Sequence, residues 1–206
     1  MDRSARTARS ERTREALRRA ALVRFLAQGV EATSAEQVAA DAGVSLRTFY
    51  RHFTSKHDLL FADYDAGLHW FRNALAARPD EENIIESVRA AIFAFPYDVQ
   101  TVTQIAALRA EALDPGRIVH HIRQVESDFA EAVAERLGLR TGGDDAPPGE
   151  RLAVTVTARC IAAAVFGAME VWMLLEERSL SELAQLCHSA LTSIEGGMVD
   201  GMFRHY

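Results

Sequence analysis

A chain of 206 residues with 49% hydrophobic and 25% charged residues is sized for one generous globular domain or two small ones, and its composition excludes disorder as the default. The N-terminus is polar and Arg-rich without an apolar segment, and the longest apolar run, Cys160 to Met169, is ten residues, so neither a secretory leader nor a bilayer span is expected. The net charge of −6 argues against a nucleic-acid partner only if it is uniform, and it is not: residues 1–56 hold 11 Lys and Arg against 6 Asp and Glu, residues 57–206 hold 12 against 23. A basic head on an acidic body is the asymmetry of a chain in which one part meets DNA and the other must not.

In chain order, residues 1–11 carry Arg3, Arg6 and Arg9 among small polar residues. They read as a solvated tail, with a minor-groove arm as the alternative. A first helix is predicted from about Glu11 to Gln28, with an apolar stripe of Leu17, Ala21, Leu22, Phe25 and Leu26, and Gly29 ends it. Residues 33–56 then read as two short helices meeting at a turn. Thr33 with Glu36, or Ser34 with Gln37, fits a capping box, and Val38, Ala39 and Ala42 form a small apolar face. Gly43 accepts the left-handed corner, Ser45 caps the second helix, and Phe49 and Phe53, four apart, share its inward face.

The outward arc of that second helix carries Leu46, Arg47, Tyr50 and Arg51, flanked by Ser45, Thr48, His52 and Lys56. Two guanidinium groups, a phenol and hydroxyls suit a helix entering a major groove about 12 Å wide. Arg47 has the donor fork for guanine, while Lys56 and the hydroxyls suit phosphate oxygens. From periodicity alone, a plain helical hairpin with a solvated polar face fits equally.

The residues themselves go further. Gly43-Val44-Ser45, Thr48-Phe49-Tyr50-Arg51-His52-Phe53, Lys56 and Leu59-Leu60 closely resemble the signature of the tetracycline-repressor (TetR) family of bacterial transcription regulators, roughly G-V-S-x-x-T-[LF]-Y-x-H-F-x-x-K-x-x-L. Gly29, Thr33-Ser34, Val38-Ala39 and Ala42 also fall where that family has such residues. The resemblance covers about residues 12–62. It implies a DNA-binding role for Thr33, Ser34, Ser45, Leu46, Arg47, Thr48, Tyr50, Arg51, His52 and Lys56.

Beyond the motif, Ser55 with Asp58 starts a long amphipathic helix through Leu60, Tyr64, Leu68 and Phe71 to about Ala77, stopped by Pro79. In the family it resembles, this helix is the lever between ligand and head. Helices are predicted at about Asp80–Phe95, Tyr97–Leu113 and, from the Asp114-Pro115 start signal, on to Gly138. A loop follows at 141–149, then a helix at about Glu150–Glu177 and a last one from Ser179, boxed by Glu182, to about Gly196. No alternating strand pattern of useful length occurs. The expected fold is all-α, about nine helices, with a head at 1–54 and a ligand-binding and dimerisation body at 55–206.

The helix rich in Ile161, Ala162, Ala163, Val165, Phe166, Gly167, Met169 and Trp172 is apolar on more than one face, so it is buried on more than one face. It is either the central helix of a monomeric bundle or one that pairs with a second copy. The resemblance implies pairing through the last two helices, with Ala162, Ala163, Phe166, Gly167, Glu170, Leu183, Leu186 and Leu191 as candidates, and a two-fold dimer reading a palindrome. For a pocket, His69, Trp70, Phe93, Phe95, Tyr97, Gln104, Arg109, His120, His121 and Trp172 are candidates, and ordinary core is the alternative for each. Few convergent polar groups point to a largely apolar effector, with an acidic part if Arg109 faces it.

Cys160 and Cys187 lie in apolar helical stretches and read as reduced thiols. His120 and His121 point about 100° apart with no ligand four residues on. No nucleophile elbow, phosphate loop or C-x-x-C occurs. No catalytic activity, metal or cofactor is expected. The sequence therefore predicts a cytoplasmic, ligand-responsive, homodimeric regulator, expected to act as a repressor, that binds double-stranded DNA and contacts no membrane. A helical binding or interaction protein that keeps the head but not DNA binding is the alternative.

Overall fold

The computed structural model describes residues 3–94, 99–141, 146–175 and 179–195. Among them are nine α-helices and no strand: α1 (Arg3–Gln28), α2 (Ala35–Asp41), α3 (Leu46–His52), α4 (Ala62–Ala76), α5 (Ile84–Phe93), α6 (Val99–Ala112), α7 (Pro115–Thr141), α8 (Pro148–Met173) and α9 (Leu180–Glu195). The all-helical expectation holds, with local differences. α1 begins at Arg3, so the stretch expected as a tail continues the helix, with Arg12 Nε and Thr13 Oγ1 donating to the carbonyls of Ala8 and Arg9 one turn back. The helix expected from Ser55 is instead a 3-10 turn, Lys56–Phe61, followed by α4. Leu59, Leu60, Phe61 and Ala62 are all buried, and an α-helical stripe does not bury four consecutive side chains. α7 runs past Gly138 to Thr141. Phe95, Tyr97 and residues 142–145 of the expected 141–149 loop lie outside the described residues, while Thr141 ends α7 and Pro148 and Gly149 open α8.

The chain divides into two compact units, Met1–Asp65 with Gln100–His121, and Ala66–Val99 with Ile122–Tyr206. In the first, α1 supplies Leu17, Ala21 and Phe25, α2 Ala35, Val38 and Ala39, and α3 Phe49 to one core, which Val30, Phe53, Leu59–Ala62 and Leu113 complete. Burying a Phe such as Phe49, fully inaccessible here, contributes about 1.5–3 kcal/mol. Leu108, Ala112 and Ile118 pack against the same core. The unit that holds the head therefore includes residues from beyond position 100, a grouping no local pattern reveals.

Three arginines from three helices close this unit around residues 58–65. Arg14 of α1 pairs with Asp65 at 2.5 Å, Arg109 of α6 with Asp63 at 2.8 Å, and Arg117 of α7 with Asp58 at 2.8 Å. Arg109 is 5% exposed. Its Nε donates to Leu60 O at 2.9 Å, its Nη2 donates to both oxygens of Asp63, and its guanidinium lies 4.5 Å from the Tyr64 ring centre. Burial, chiefly, pushes the Tyr64 phenol above its ordinary value. Such a pair is worth little against apolar residues, but losing one member strands a buried charge.

The core of the second unit joins α4, α5, α7, α8 and α9 through Phe71, Val88, Phe129, Val133, Ile161, Val165 and Leu191. Phe71 stacks on Phe129 at 3.9 Å, and Phe129 meets Phe166 edge-on at 5.7 Å, the second being the geometry that ring quadrupoles favour. Arg136 closes the α4–α5 loop. Its Nη1 donates to Asp80 at 2.6 Å and its Nη2 to the carbonyls of Arg78 and Pro79. Beside it Glu82 accepts from Arg78 and from Ser87 Oγ. Those two donors, Arg78 first, pull its carboxyl down to about 2. α8 packs along α9 and turns Ala158, Ile161, Ala162, Val165, Ala168 and Trp172 into the core. By length and composition alone α8 could cross a bilayer, contrary to what its ten-residue apolar run suggests, but its inner face is that of a core helix.

Candidate nucleic-acid interface

The two helices of the motif are positioned by hydroxyls and glycines. Of the two capping boxes the sequence allows, Ser34 with Gln37 forms: Gln37 N–H donates to Ser34 Oγ at 3.2 Å and Ser34 N–H to Gln37 Oε1 at 2.9 Å. Ser45 Oγ accepts from the Thr48 N–H at 3.1 Å and lies 2.9 Å from Thr48 Oγ1. Gly29 (φ 83°) and Gly43 (φ 67°) take the left-handed corners after α1 and α2, a region that a side chain resists. Arg24 clamps Asp41 through Nε and Nη2, fixing α1 against α2.

With Phe49 and Phe53 turned inward, α3 leaves Ser45, Arg47, Tyr50 and Arg51 exposed, with Leu46, Thr48 and His52 half-buried. The expected outward arc is therefore present, except that Leu46 also packs on the head core. Tyr50 is 52% exposed and stands edge-on to Phe49 at 5.2 Å. A shallow groove beside it is lined by Glu31, Ala32, Thr33, Ser34, Tyr50 and Lys56. A convex helix with two solvated guanidinium groups and a phenol, beside a groove with hydroxyls on its wall, can hydrogen-bond base edges and phosphates together.

Three expected DNA contacts turn polar atoms toward the protein. Thr33 is 2% exposed, and its hydroxyl donates to Gly29 O at 2.8 Å, so its side chain closes the turn from within. Lys56 Nζ donates to the carbonyls of Val30 and Glu31 at 2.8 and 3.0 Å and lies 3.5 Å from the Glu31 carboxylate; it ties the motif to the α1–α2 turn. His57, then Lys56, hold the Glu31 carboxyl below its ordinary value. His52 has an inaccessible Nε2 without a partner among the described residues, and burial, then Arg51 and Arg14, lower its pKa below the ordinary imidazole value. Arg14, absent from the sequence candidates, lies 5.3 Å from the Phe53 ring centre. Its separation from the motif along α1 left no signal.

The pocket candidates are shared between the two units. Gln104, Arg109, His120 and His121 belong to the first unit, and His69, Trp70, Phe93 and Trp172 to the second. Arg109 is consumed by Asp63 and Leu60. His121 stacks on Phe61 at 4.0 Å, His120 is exposed, and Trp172 donates through Nε1 to Ser179 O at 2.9 Å. Among the described residues no three His, Cys, Asp or Glu side chains form a metal cluster. Of the dimer candidates, Ala162 and Leu191 are 1% and 0% exposed and lie inside the second unit's own core. The helical period turns them inward with Ile161 and Val165. Ala163 and Glu170 are exposed and Phe166, Gly167, Leu183 and Leu186 half-buried. The outer face of α8 is apolar at Leu152, Val156, Val171 and Leu174.

A three-helix head that exposes α3, the second helix of the motif, is a helix-turn-helix DNA-binding module. Residues 17–62 match the sequence profile of bacterial regulatory proteins of the tetR family. Over 194 residues the chain is 31% identical to the HTH-type transcriptional regulator TcmR of Streptomyces glaucescens, covering 89% of this chain and 83% of that protein. SmeT, repressor of the Stenotrophomonas maltophilia multidrug efflux pump SmeDEF, shares the fold at TM-score 0.55 and 20% identity over 89% of each chain, and is also solved with triclosan. So does FadR, a TetR-family repressor of Thermus thermophilus solved with lauroyl-CoA, at TM-score 0.54 and 21% identity over 90% of this chain and 95% of that one. The chain belongs to the tetR family and is a DNA-binding transcriptional regulator.

Proposed function

We propose that this regulator is a homodimeric repressor that occupies a palindromic operator and leaves it when a small, largely apolar effector binds the body. In this reading residues 1–54 act as the DNA-binding head and residues 55–206 as the effector-binding and dimerisation body, in the bacterial cytoplasm. The observation that carries it is the exposed face of α3. Arg47 reads a base edge, Tyr50, Arg51, Ser45 and Thr48 hold phosphates, and Ser34, Thr33 and Lys56 keep the helices in register.

The outer face of α8 supports a dimer. Leu152, Val156, Ala163, Gly167, Val171 and Leu174 follow the helical period on one side, and a second copy of that face would cover them. The effector class rests on the aromatic core of the second unit and on the triclosan and lauroyl-CoA complexes of SmeT and FadR. Release is a population shift. The effector favours a conformation in which the two heads no longer match successive half-sites, and it shifts the equilibrium only by its differential affinity.

Selection of bound sequences from a random duplex pool, at near-physiological salt, tests this. An inverted repeat whose affinity falls steeply with salt is the expected result. A folded protein that enriches no sequence removes the operator reading.

A further inference from the structure

Arginine presents two donors along one edge, Nε and Nη2, and this edge matches the two oxygens of a carboxylate. The chain uses it that way repeatedly. Arg24 chelates Asp41 through Nε and Nη2, Arg78 chelates Glu82 through the same pair, and Arg109 fills the same edge with Leu60 O and Asp63.

Arg89 of α5 differs. Its Nη1 donates to Glu86 at 2.7 Å, and its side chain is 18% exposed. Its Nε and Nη2 are both inaccessible to solvent and have no acceptor among the described residues. Arg72 and Arg136 each leave only Nε in that condition, so Arg89 alone among the described arginines turns the whole two-donor edge away from water without an acceptor. A buried cationic donor without an acceptor is costly and calls for a specific reason. α5 places Arg89 one helical turn from both Ile85 and Ile92, at the flank of the face that enters the aromatic-containing core of the second unit.

We propose that Arg89 is the anion-recognising residue of the effector site, and that the effector is a small acid: an apolar or aromatic body bearing a carboxylate held side-on by Nε and Nη2. The proposal rests on the reading that the body takes a largely apolar effector. Arg109, the arginine that composition alone suggests for this task, has its edge already filled by the chain. Glu86 holds Arg89 Nη1 and fixes the plane in which the remaining edge points.

The test uses the full chain with two acids, 2-naphthoate and dodecanoate, each beside its methyl ester, titrated by tryptophan fluorescence and calorimetry. The wild type is expected to bind each acid roughly tenfold or more tightly than its ester, because the ester leaves the guanidinium without a counter-charge and one of its two donors without a good acceptor. In Arg89→Met the preference disappears while ester binding persists; Arg89→Gln serves the same purpose if the first variant does not fold. Equal binding of acid and ester by the wild type, retained preference in the variant, or no binding of either acid overturns the assignment. Melting of the ligand-free proteins is a second readout. A site residue predicts an unchanged or higher Tm for Arg89→Met or Arg89→Gln, and a lower Tm in both variants assigns Arg89 to packing and overturns the proposal. Operator binding measured on the same preparations separates the two readings. Wild type that binds operator but ignores the charge of the probe fails this inference alone, whereas wild type that binds no operator fails the repressor reading whatever the probes do.

Discussion

α2 and α3 are seven residues each, and each begins at a serine whose hydroxyl takes a backbone N–H. α8 is 26 residues long and begins after Pro147 with no side-chain cap. Helices of seven residues are far below the length at which an isolated helix persists in water, so the head depends on individual side chains: two hydroxyls, two glycines and two phenylalanines. α8 depends on the burial of its later part, from Ala158 to Trp172, and tolerates an uncapped, solvated start. The same contrast recurs in the arginine clamps. In the first unit Arg109 and Asp63 are both withdrawn from water, their side chains 5% and 18% exposed. In the second, Arg136 is 8% exposed but its partner Asp80 is 84% exposed.

The sharpest way to break that comparison is to remove each clamp. Arg109→Met strands the Asp63 carboxylate and is expected to lower stability by about 3–5 kcal/mol, the usual cost of breaking a buried pair. Arg136→Met leaves Asp80 solvated and should cost clearly less. Urea unfolding of the two variants side by side measures the difference, and equal losses would show that the exposure of the partner does not matter here. The head's surface answers a different question from its interior. Arg47→Ala should leave Tm unchanged, weaken operator binding by about 1–3 kcal/mol and relax preference at one base position. Competition between cognate and scrambled duplexes reads this out, and an equal loss on both would take Arg47 out of base recognition. The smallest effect is expected at the cap. Ser45→Ala removes the acceptor of the Thr48 N–H and should cost about 1 kcal/mol. Because Ser45 is also proposed to hold a phosphate, operator affinity should fall beyond that stability change, and a loss no greater than it would take Ser45 off the DNA.

Much of the head is legible in the amino-acid sequence, because its stop and start residues act locally. Gly43 needs its corner whatever surrounds it, and Ser45 can cap only the helix that opens at Leu46. Thr33 and Lys56, whose polar atoms bond within the head, and His52, whose Nε2 is withdrawn from solvent, are illegible for the opposite reason. Each is a polar residue in or beside the motif, and whether its polar atom faces DNA or the protein depends on packing; for Lys56 the deciding partner is the α1–α2 turn, 25 residues earlier in the chain at Glu31. The 3-10 turn at 56–61 is hidden likewise, because Leu59, Leu60 and Phe61 fit a helical stripe until the core makes room for all three.

By itself the sequence determined the class of this protein. Local chemistry of caps, glycines and an outward cationic arc specifies a helix-turn-helix head, and helical periodicity specifies an all-α body. Only the tertiary structure decided which charges are shared and which residues are inside. Residues 100–121 join the head because Leu113 is buried in its core, Ala162 and Leu191 face inward because α8 and α9 pack there, and Arg109 is closed off by Asp63, 46 residues away. The physical reason is range. Capping and periodicity act over three or four residues, while burial and ion pairing depend on what folding brings within a few ångströms.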